Sequence, residues 1–210
     1  MRLTKLGHAC VRLEKDGRRL VIDPGSLSEP DAVAGADAVL ITHEHPDHVV
    51  EEQFADSAAG IDIWATAGVA ERLDGIDARI RQVGEGDAFE AAGFDVAVAG
   101  TLHAVVNPAL PRVANVGFLV DGGVFHPGDA FTVPDATVDT LLIPTNAPWM
   151  KASELIDYVK EITPQQAFSV HDGFLNDAGL KLVDGLLGTL ADEHGADIRR
   201  LPPGTSVDLD

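Results

Sequence analysis

The chain has 210 residues, enough for one domain with an apolar core of its own. Hydrophobic residues make up 45% and charged residues 23%, a globular balance that excludes disorder of the whole chain. The net charge of −19 opposes a nucleic-acid partner, because phosphate backbones are gripped by Lys and Arg, and no basic run exceeds Arg18-Arg19 or Arg199-Arg200.

In chain order, residues 9–13 alternate, with Ala9, Val11 and Leu13 on one face of an expected strand. Asp16-Gly17 reads as a hairpin turn, and Leu20-Val21-Ile22 as the return strand, stopping at Asp23-Pro24-Gly25. Ala38-Val39-Leu40-Ile41 reads as a buried strand that runs directly into Thr42-His43. A helix is expected from Val49 to Ala58, with Glu51 and Glu52 in its first turns, where the helix dipole favours negative charge. Further strands are expected at 61–64, 94–98, 116–120, 124–126, 141–143 and 167–170. Leu155, Val159 and Ile162 share one face of a helix that Pro164 stops. Leu180, Val183, Leu187 and Leu190 share a face of a second, capped at Asn176-Asp177 and ended by Gly195. Strands with helices between them throughout imply sheets with helices packed outside. No linker or repeat divides the chain, so residues 1–210 are read as one domain.

The single cysteine, Cys10, excludes an internal disulfide and a Cys-based zinc knuckle, and reads as a small strand residue. No stretch approaches the ~20 apolar residues of a membrane span, and the N-terminus lacks a signal-like apolar run, so a cytoplasmic protein without a membrane partner is expected.

The chemistry concentrates in His43-Glu44-His45-Pro46-Asp47-His48, an H-x-H-x-D-H run. Imidazole suits Zn²⁺, Fe and Mn²⁺, and carboxylate broadens the choice. Alternation puts His43 and His45 on one side of an extended segment. A turn at Pro46 then returns Asp47 and His48 to them. Such a run can also be no more than a polar loop after a strand. Three later residues weigh against that: His103, Asp129 and His171 each follow a strand, in front of Gly or loop residues. They fit one metal-lined edge of a sheet, where open α/β architectures place their sites.

On these residues the chain resembles the metallo-β-lactamase fold superfamily, and within it the branch of L-ascorbate-6-phosphate lactonase-like hydrolases. Leu6-Gly7-His8-Ala9, Ile22-Asp23-Pro24-Gly25, the Thr42–His48 run, His103, Phe125-His126-Pro127-Gly128-Asp129 and His171 carry the likeness. It implies an α/β, four-layer αββα sandwich. It also implies a first metal on His43, His45 and His103, a second on Asp47, His48 and His171, and Asp129 bridging them. Ala130 departs from the family, which often has Thr there. Two divalent ions are therefore expected, Zn²⁺ foremost, with Mn²⁺ or Fe as alternatives. Two metals roughly 3.5–4 Å apart share a bridging water and lower its pKa towards neutrality. The resulting hydroxide attacks a carbonyl or phosphoryl centre, so no Ser or Cys nucleophile is needed. Asp47, besides ligating, is suited to accept or shuttle a proton.

Around this set, Asp23 and His8 read as groups that orient the ligands, or else as a turn-forming Asp and a buried strand-end His. His126 reads as structural, and His194 as a helix-end His complementing the dipole. The loop with Thr145, Asn146, Trp149 and Met150 is a candidate substrate pocket, Asn146 and Trp149 above all, and Asn107 is a weaker one. The expected activity is hydrolysis of a small-molecule ester, lactone or phosphodiester. A non-catalytic metal-binding module for regulation or assembly is the alternative, and redox chemistry at a di-iron centre ranks below both. Self-association is left open by the sequence.

Overall fold

The computed structural model describes residues 1–55 and 60–209. Its strands fall into two seven-stranded sheets. The first contains β1 (Arg2–Lys5), β2 (Val11–Lys15), β3 (Arg18–Ile22), β4 (Ala38–Ile41), β5 (Ile61–Ala65), β6 (Ala78–Gln82) and the returning β14 (Ser206–Asp208), in the order β14-β1-β2-β3-β4-β5-β6. The second contains β7 (Ala88–Ala91), β8 (Phe94–Ala99), β9 (Gly117–Val120), β10 (Val124–His126), β11 (Thr140–Pro144), β12 (Gln166–Val170) and β13 (Asp197–Arg199), in the order β13-β12-β11-β10-β9-β8-β7. Both sheets are mixed: β3 to β6 run parallel in one, and β10 to β13 in the other.

Side-chain alternation explains the layering. Ala38 and Leu40 of β4 enter the seam between the sheets, where they join Leu13, Phe94, Phe118 and Phe168. Val39 and Ile41 of the same strand point the other way, towards Val69 and Leu73 at the short helix α1 (Ala67–Arg72). On the second sheet, Leu141, Ile143 and Ala167 meet α2 (Ala152–Ile162) and α3 (Asp177–His194) through Leu155, Val159, Val183, Leu187 and Leu190. These three apolar clusters make the expected αββα sandwich, because a sheet with two apolar faces needs cover on both. The late helices end as expected: Asn176 caps α3 by accepting from the Gly179 N–H at 3.0 Å, and Gly195 closes it in the left-handed region.

The differences lie in short or charged elements. The first expected strand begins at Val11 because Gly7–Cys10 form a turn, closed by a Cys10 N–H to Gly7 carbonyl bond of 2.7 Å. In place of a helix from Val49, Val50 is extended and a single 3-10 turn spans Glu51–Phe54. Buried Val49 and Phe54 anchor that turn to the first sheet, and residues 56–58 of the expected helix lie outside the described residues. β1, β6, β7, β13, β14 and α1 were not expected from the sequence.

His126, at the end of β10, ties the second sheet to the Gly7–Cys10 turn of the first. Its Nδ1 accepts from the Gly128 N–H at 3.1 Å, so its Nε2 carries the proton and donates to the Ala9 carbonyl at 2.9 Å. Both ring nitrogens are spent in the neutral form, and burial lowers the pKa from its ordinary 6.5. The unfolded chain therefore binds a proton below about pH 6.5 that the folded chain resists, so the stability from neutral His126 is full above that pH and lost below it. Chemical denaturation at about pH 7.5 and about pH 5.5 should show this fall in the wild type and a shallower one in His126→Gln. Phe118, fully buried in the seam, gives a second check. Phe118→Ala should cost about 3–5 kcal/mol in guanidinium unfolding, whereas Leu182→Ala on the exposed face of α3 should change it by less than about 0.5 kcal/mol.

Candidate metal centre

The ligand-dense loop is placed by the strand before it. β4 ends at Ile41, and Thr42 locks the exit: its N–H and hydroxyl each donate to a different oxygen of Asp23 at 2.8 Å. Asp23 follows the parallel neighbour β3, so two adjacent strand ends are joined by one carboxylate. The turn at Pro46 is closed by the His48 and Val49 N–H groups, both 3.0 Å from the His45 carbonyl. Gly25 is required beside it, because a Cβ there would collide with the Asp47 carbonyl. The Pro46 carbonyl also accepts from the Ser26 N–H at 2.8 Å.

The other expected residues come from the second sheet. His103 follows β8, Asp129 follows β10, and His171 follows β12. These three meet the four of the His43–His48 loop at one rim, so all seven come together. His43, His45, His103 and Asp129 form one cluster of potential ligand atoms, and Asp47, His48 and His171, with His8, form another; within each, the atoms lie within 4.8 Å of one another. Asp129 touches both. Its Oδ1 is 3.1 Å from His48 Nε2, and its Oδ2 is 3.2 Å from both His103 Nε2 and His171 Nε2. His45 and Asp47 are half-buried and the remaining five are buried, so the cluster meets solvent on the side of those two.

The imidazole protons decide what this cluster fits. His48 Nδ1 is 2.7 Å from Asp23 Oδ2, His103 Nδ1 is 2.6 Å from the Ala104 carbonyl, and His171 Nδ1 meets the Asn146 carbonyl. These partners only accept, so each Nδ1 carries the proton, and in a neutral ring each Nε2 is a bare lone pair. All three Nε2 atoms face the Asp129 carboxylate, and those of His48 and His171 are buried without a hydrogen-bond partner, as is Asp129 Oδ1. Lone pairs aimed at a carboxylate in a buried place call for a positive charge between them. Protons supply it when no cation does: against the opposing effect of burial, Asp129 and Asp23 hold His48 well above its ordinary range. Asp129 and Asp47 likewise raise His171 to about 9 despite its burial. His43, by contrast, is pushed down, first by burial and then by its cationic neighbour His48. The donor set is all imidazole and carboxylate, with protein groups holding the far nitrogens, as in histidine sites for divalent metals.

His8 stands behind Asp47. Its Nδ1 accepts from the Gly173 N–H at 3.0 Å, which leaves the proton on Nε2, 3.2 Å from Asp47 Oδ2. Burial lowers its pKa to about 4, so the neutral ring is the donor. The His8 carbonyl accepts from the His171 N–H at 3.0 Å. His8, Asp23 and His171 have φ of +43°, +52° and +61°, a region that side-chain-bearing residues avoid. Such backbone persists only when neighbours over-determine it, as the bonds above do here.

Sequence reading missed three supports. Asn115, fully buried, accepts the Asp129 N–H at 2.9 Å and donates to the Pro127 carbonyl at 3.0 Å. A Cβ at Gly128 would strike that same Asn115 oxygen. Thr42 enters the sequence reading only as the first residue of the Thr42–His48 run, with no bonding role. Lys5, buried at the end of β1, donates to the Ser169 carbonyl at 2.8 Å and to Asp172 at 3.1 Å, and so clamps the first sheet to the loop that carries His171. A buried lysine opposite a His-Asp pair leaves no local mark in the sequence.

The weaker candidates divide. Trp149 is buried, and its indole N–H donates to Asp129 Oδ2 at 3.1 Å. Asn146 offers its backbone to His171, and Thr145 bonds the Ser169 hydroxyl at 2.7 Å. Met150 packs into the helix-side core. Asn107 lines a cleft beside His45 and His103, which neither Asn146 nor Trp149 reaches. His194 sits in the last turn of α3, outside both clusters. Cys10 is fully buried, and burial raises its thiol to about 12.

The pattern of the beta-lactamase superfamily domain matches residues 2–171. Protein Rv0786c of Mycobacterium tuberculosis is 36% identical over 185 residues, covering 83% of this chain and 85% of that protein. A UPF0173 metal-dependent hydrolase of Aeropyrum pernix is 28% identical over 202 residues, covering 82% of each. Among solved structures, Igni18, a metallo hydrolase from Ignicoccus hospitalis, superposes with a TM-score of 0.75 over 100% of this chain and 98% of its own, at 20% identity. No helix among the described residues is long and apolar enough to cross a membrane. A match across that span, together with a relative above one-third identity over most of both chains, establishes that this protein belongs to the beta-lactamase superfamily.

Proposed function

We propose that the protein is a metal-dependent hydrolase that holds two divalent cations. His43, His45 and His103 would hold one, Asp47, His48 and His171 the other, and Asp129 would lie between them. The observation that carries this reading is the set of three Nε2 lone pairs turned onto one buried carboxylate while each Nδ1 is bound to a protein acceptor. The Aeropyrum relative is named a metal-dependent hydrolase, which supports the hydrolase part of this reading. Zinc fits these donors best, and manganese or iron would also be accepted. When bound, such ions polarise a carbonyl or phosphoryl oxygen and bring the pKa of water near neutrality.

The chain's own groups do the rest. Asp129 is held in place by the Asn115 oxygen at its N–H and by the Trp149 indole N–H at its carboxylate. Asp47, half-buried and facing solvent, is suited to take a proton from an attacking water, with His8 fixing its second contact. Cys10 is sealed in the core, so a cysteine nucleophile is excluded among the described residues. The substrate is a small molecule with an ester, lactone or phosphodiester bond, in line with the motifs that resemble the ascorbate-phosphate lactonase-like branch of the superfamily. Fold alone selects none of these, since one scaffold hosts many reactions. The net charge of −19 disfavours a nucleic-acid substrate.

Elemental analysis of the purified protein, run beside a panel of lactones, esters and phosphodiesters, tests the proposal. About two metal ions per chain with turnover is the expected result. Full loading without turnover across the panel favours a metal-binding module instead. His45→Ala should lose one ion and nearly all turnover, and Asp129→Ala should uncouple the two ions, so that wild-type occupancy of both would count against a bridging role. Asp23→Asn leaves every ligand in place but weakens the hold on His48, so its metal affinity should fall by about 10–100-fold in a chelator competition.

A further inference from the structure

The wall of the cleft beside the metal centre has a charge pattern unlike the rest of the chain. Between Asp95 and Asp121 there is no carboxylate, in a protein with 34 acidic and 15 basic residues. The middle of this segment follows His103 and lines a cleft of about 120 Å³ together with His45 and His103. Asn107 and Arg112 supply its polar groups, and Val106 and Leu110 its apolar wall. Val106 is 47% and Leu110 58% exposed, an apolar surface left open at the mouth of the site. At about 30 Å³ per water, the cleft holds roughly four waters, or one carboxylate or phosphate group with a short carbon stem.

Arg112 is the only basic side chain in that wall. Its Nε–H donates to the His103 carbonyl at 2.6 Å, and one Nη reaches the Leu102 carbonyl at 3.5 Å. It has no carboxylate partner among the described residues, whereas Arg12, Arg18, Arg19, Arg79, Arg199 and Arg200 each have one. A guanidinium has five N–H donors in a fork that matches planar and tetrahedral oxyanions. The bonds to the two backbone carbonyls fix its plane next to a ligand histidine and leave donors free.

We propose that Arg112 and Asn107 form an anion-binding subsite beside the metal centre. The substrate would carry a carboxylate or phosphate group near its scissile bond and a short apolar portion lying on Val106 and Leu110. This rests on the hydrolase reading above and adds the substrate's charge and shape to it. The acid-free wall serves the same end. An anion approaching a chain of net charge −19 meets on this side of the site a wall that carries Arg112 and no carboxylate.

The test uses the zinc-loaded full-length protein. Glutarate and, separately, inorganic phosphate are titrated while the Arg112 Nε–H resonance is followed, and affinities are measured by calorimetry. A saturable shift is expected with at least one anion, and the tighter of the two identifies carboxylate or phosphate as the preferred group. Arg112→Gln should weaken that anion about tenfold and Arg112→Lys should recover part of the loss. Unchanged affinity in Arg112→Gln overturns the subsite. A second readout compares the 4-nitrophenyl hemiester of glutaric acid with neutral 4-nitrophenyl valerate. Arg112→Gln should cut the kcat/KM preference for the hemiester about tenfold, chiefly through KM. An equal loss on both esters would instead assign Arg112 to holding His103 in place and overturn the proposal. Anion binding through Arg112 without turnover of either ester would leave the subsite standing and remove the hydrolase reading. Turnover with Arg112-independent binding would do the reverse.

Discussion

The rim of this sandwich is organised around a buried carboxylate that must share its space with imidazole lone pairs. Asp129 is 3% exposed and has three ring nitrogens at hydrogen-bond distance. Left neutral, those rings would repel it, and left alone its own charge would be costly to bury. The fold does not remove this conflict by moving the groups apart. Asn115, Asp23, and the carbonyls of Ala104 and Asn146 fix each of them from behind, so only positive charge between them relieves it. Protons are the weaker remedy, because they leave cationic rings crowded together, and His48 depresses His43 for that reason. Divalent ions are the better one, and the loops, glycines and strained backbone at this edge all act to keep the arrangement from relaxing.

The supports behind the clustered histidines and aspartates are as specific as the cluster itself. Lys5 and Asp172 form a buried ion pair whose desolvation offsets much of its attraction, so its value to stability is small. Its geometric value is larger. It joins β1 to the turn after β12, just where His171 must hold a left-handed backbone and where His8 must reach Asp47. Ser169 and Thr145 extend the same network into the second sheet. A site assembled from two sheets needs such cross-bracing, since packing between apolar faces sets a spacing but not a register.

Much of this was legible in the sequence because strand, turn and ligand signals coincided. β4 is four apolar residues running straight into Thr42-His43, and the last two helices carry clean apolar stripes with caps at both ends. The candidate ligand positions stand out because histidines and an aspartate follow strands one after another. What escaped was non-local. β1 holds Lys5, and β6 alternates arginine with partly buried residues, so neither has an apolar signature; their pairing is set by neighbouring strands. β13 and β14 are three residues each, too short for periodicity. The stretch after His48 has helix-like composition, yet Val50 is extended, because Val49 and Phe54 are drawn into the core on either side of it. Asn115 is an ordinary asparagine until β9 and β10 bring it beneath Asp129.

Because the proposed ligands come from both sheets, the ions would bridge the two halves of the molecule at one edge. Anything that binds the folded state alone adds RT ln(1 + [L]/Kd) to its stability, about 4 kcal/mol at a thousandfold excess over Kd. A share of the sandwich's cohesion would then depend on the free-ion level of its surroundings as well as on its own side chains. Heat resistance measured in a chelating buffer and in one containing zinc would describe two different materials, and limitation for the metal would cost the protein its persistence along with its chemistry.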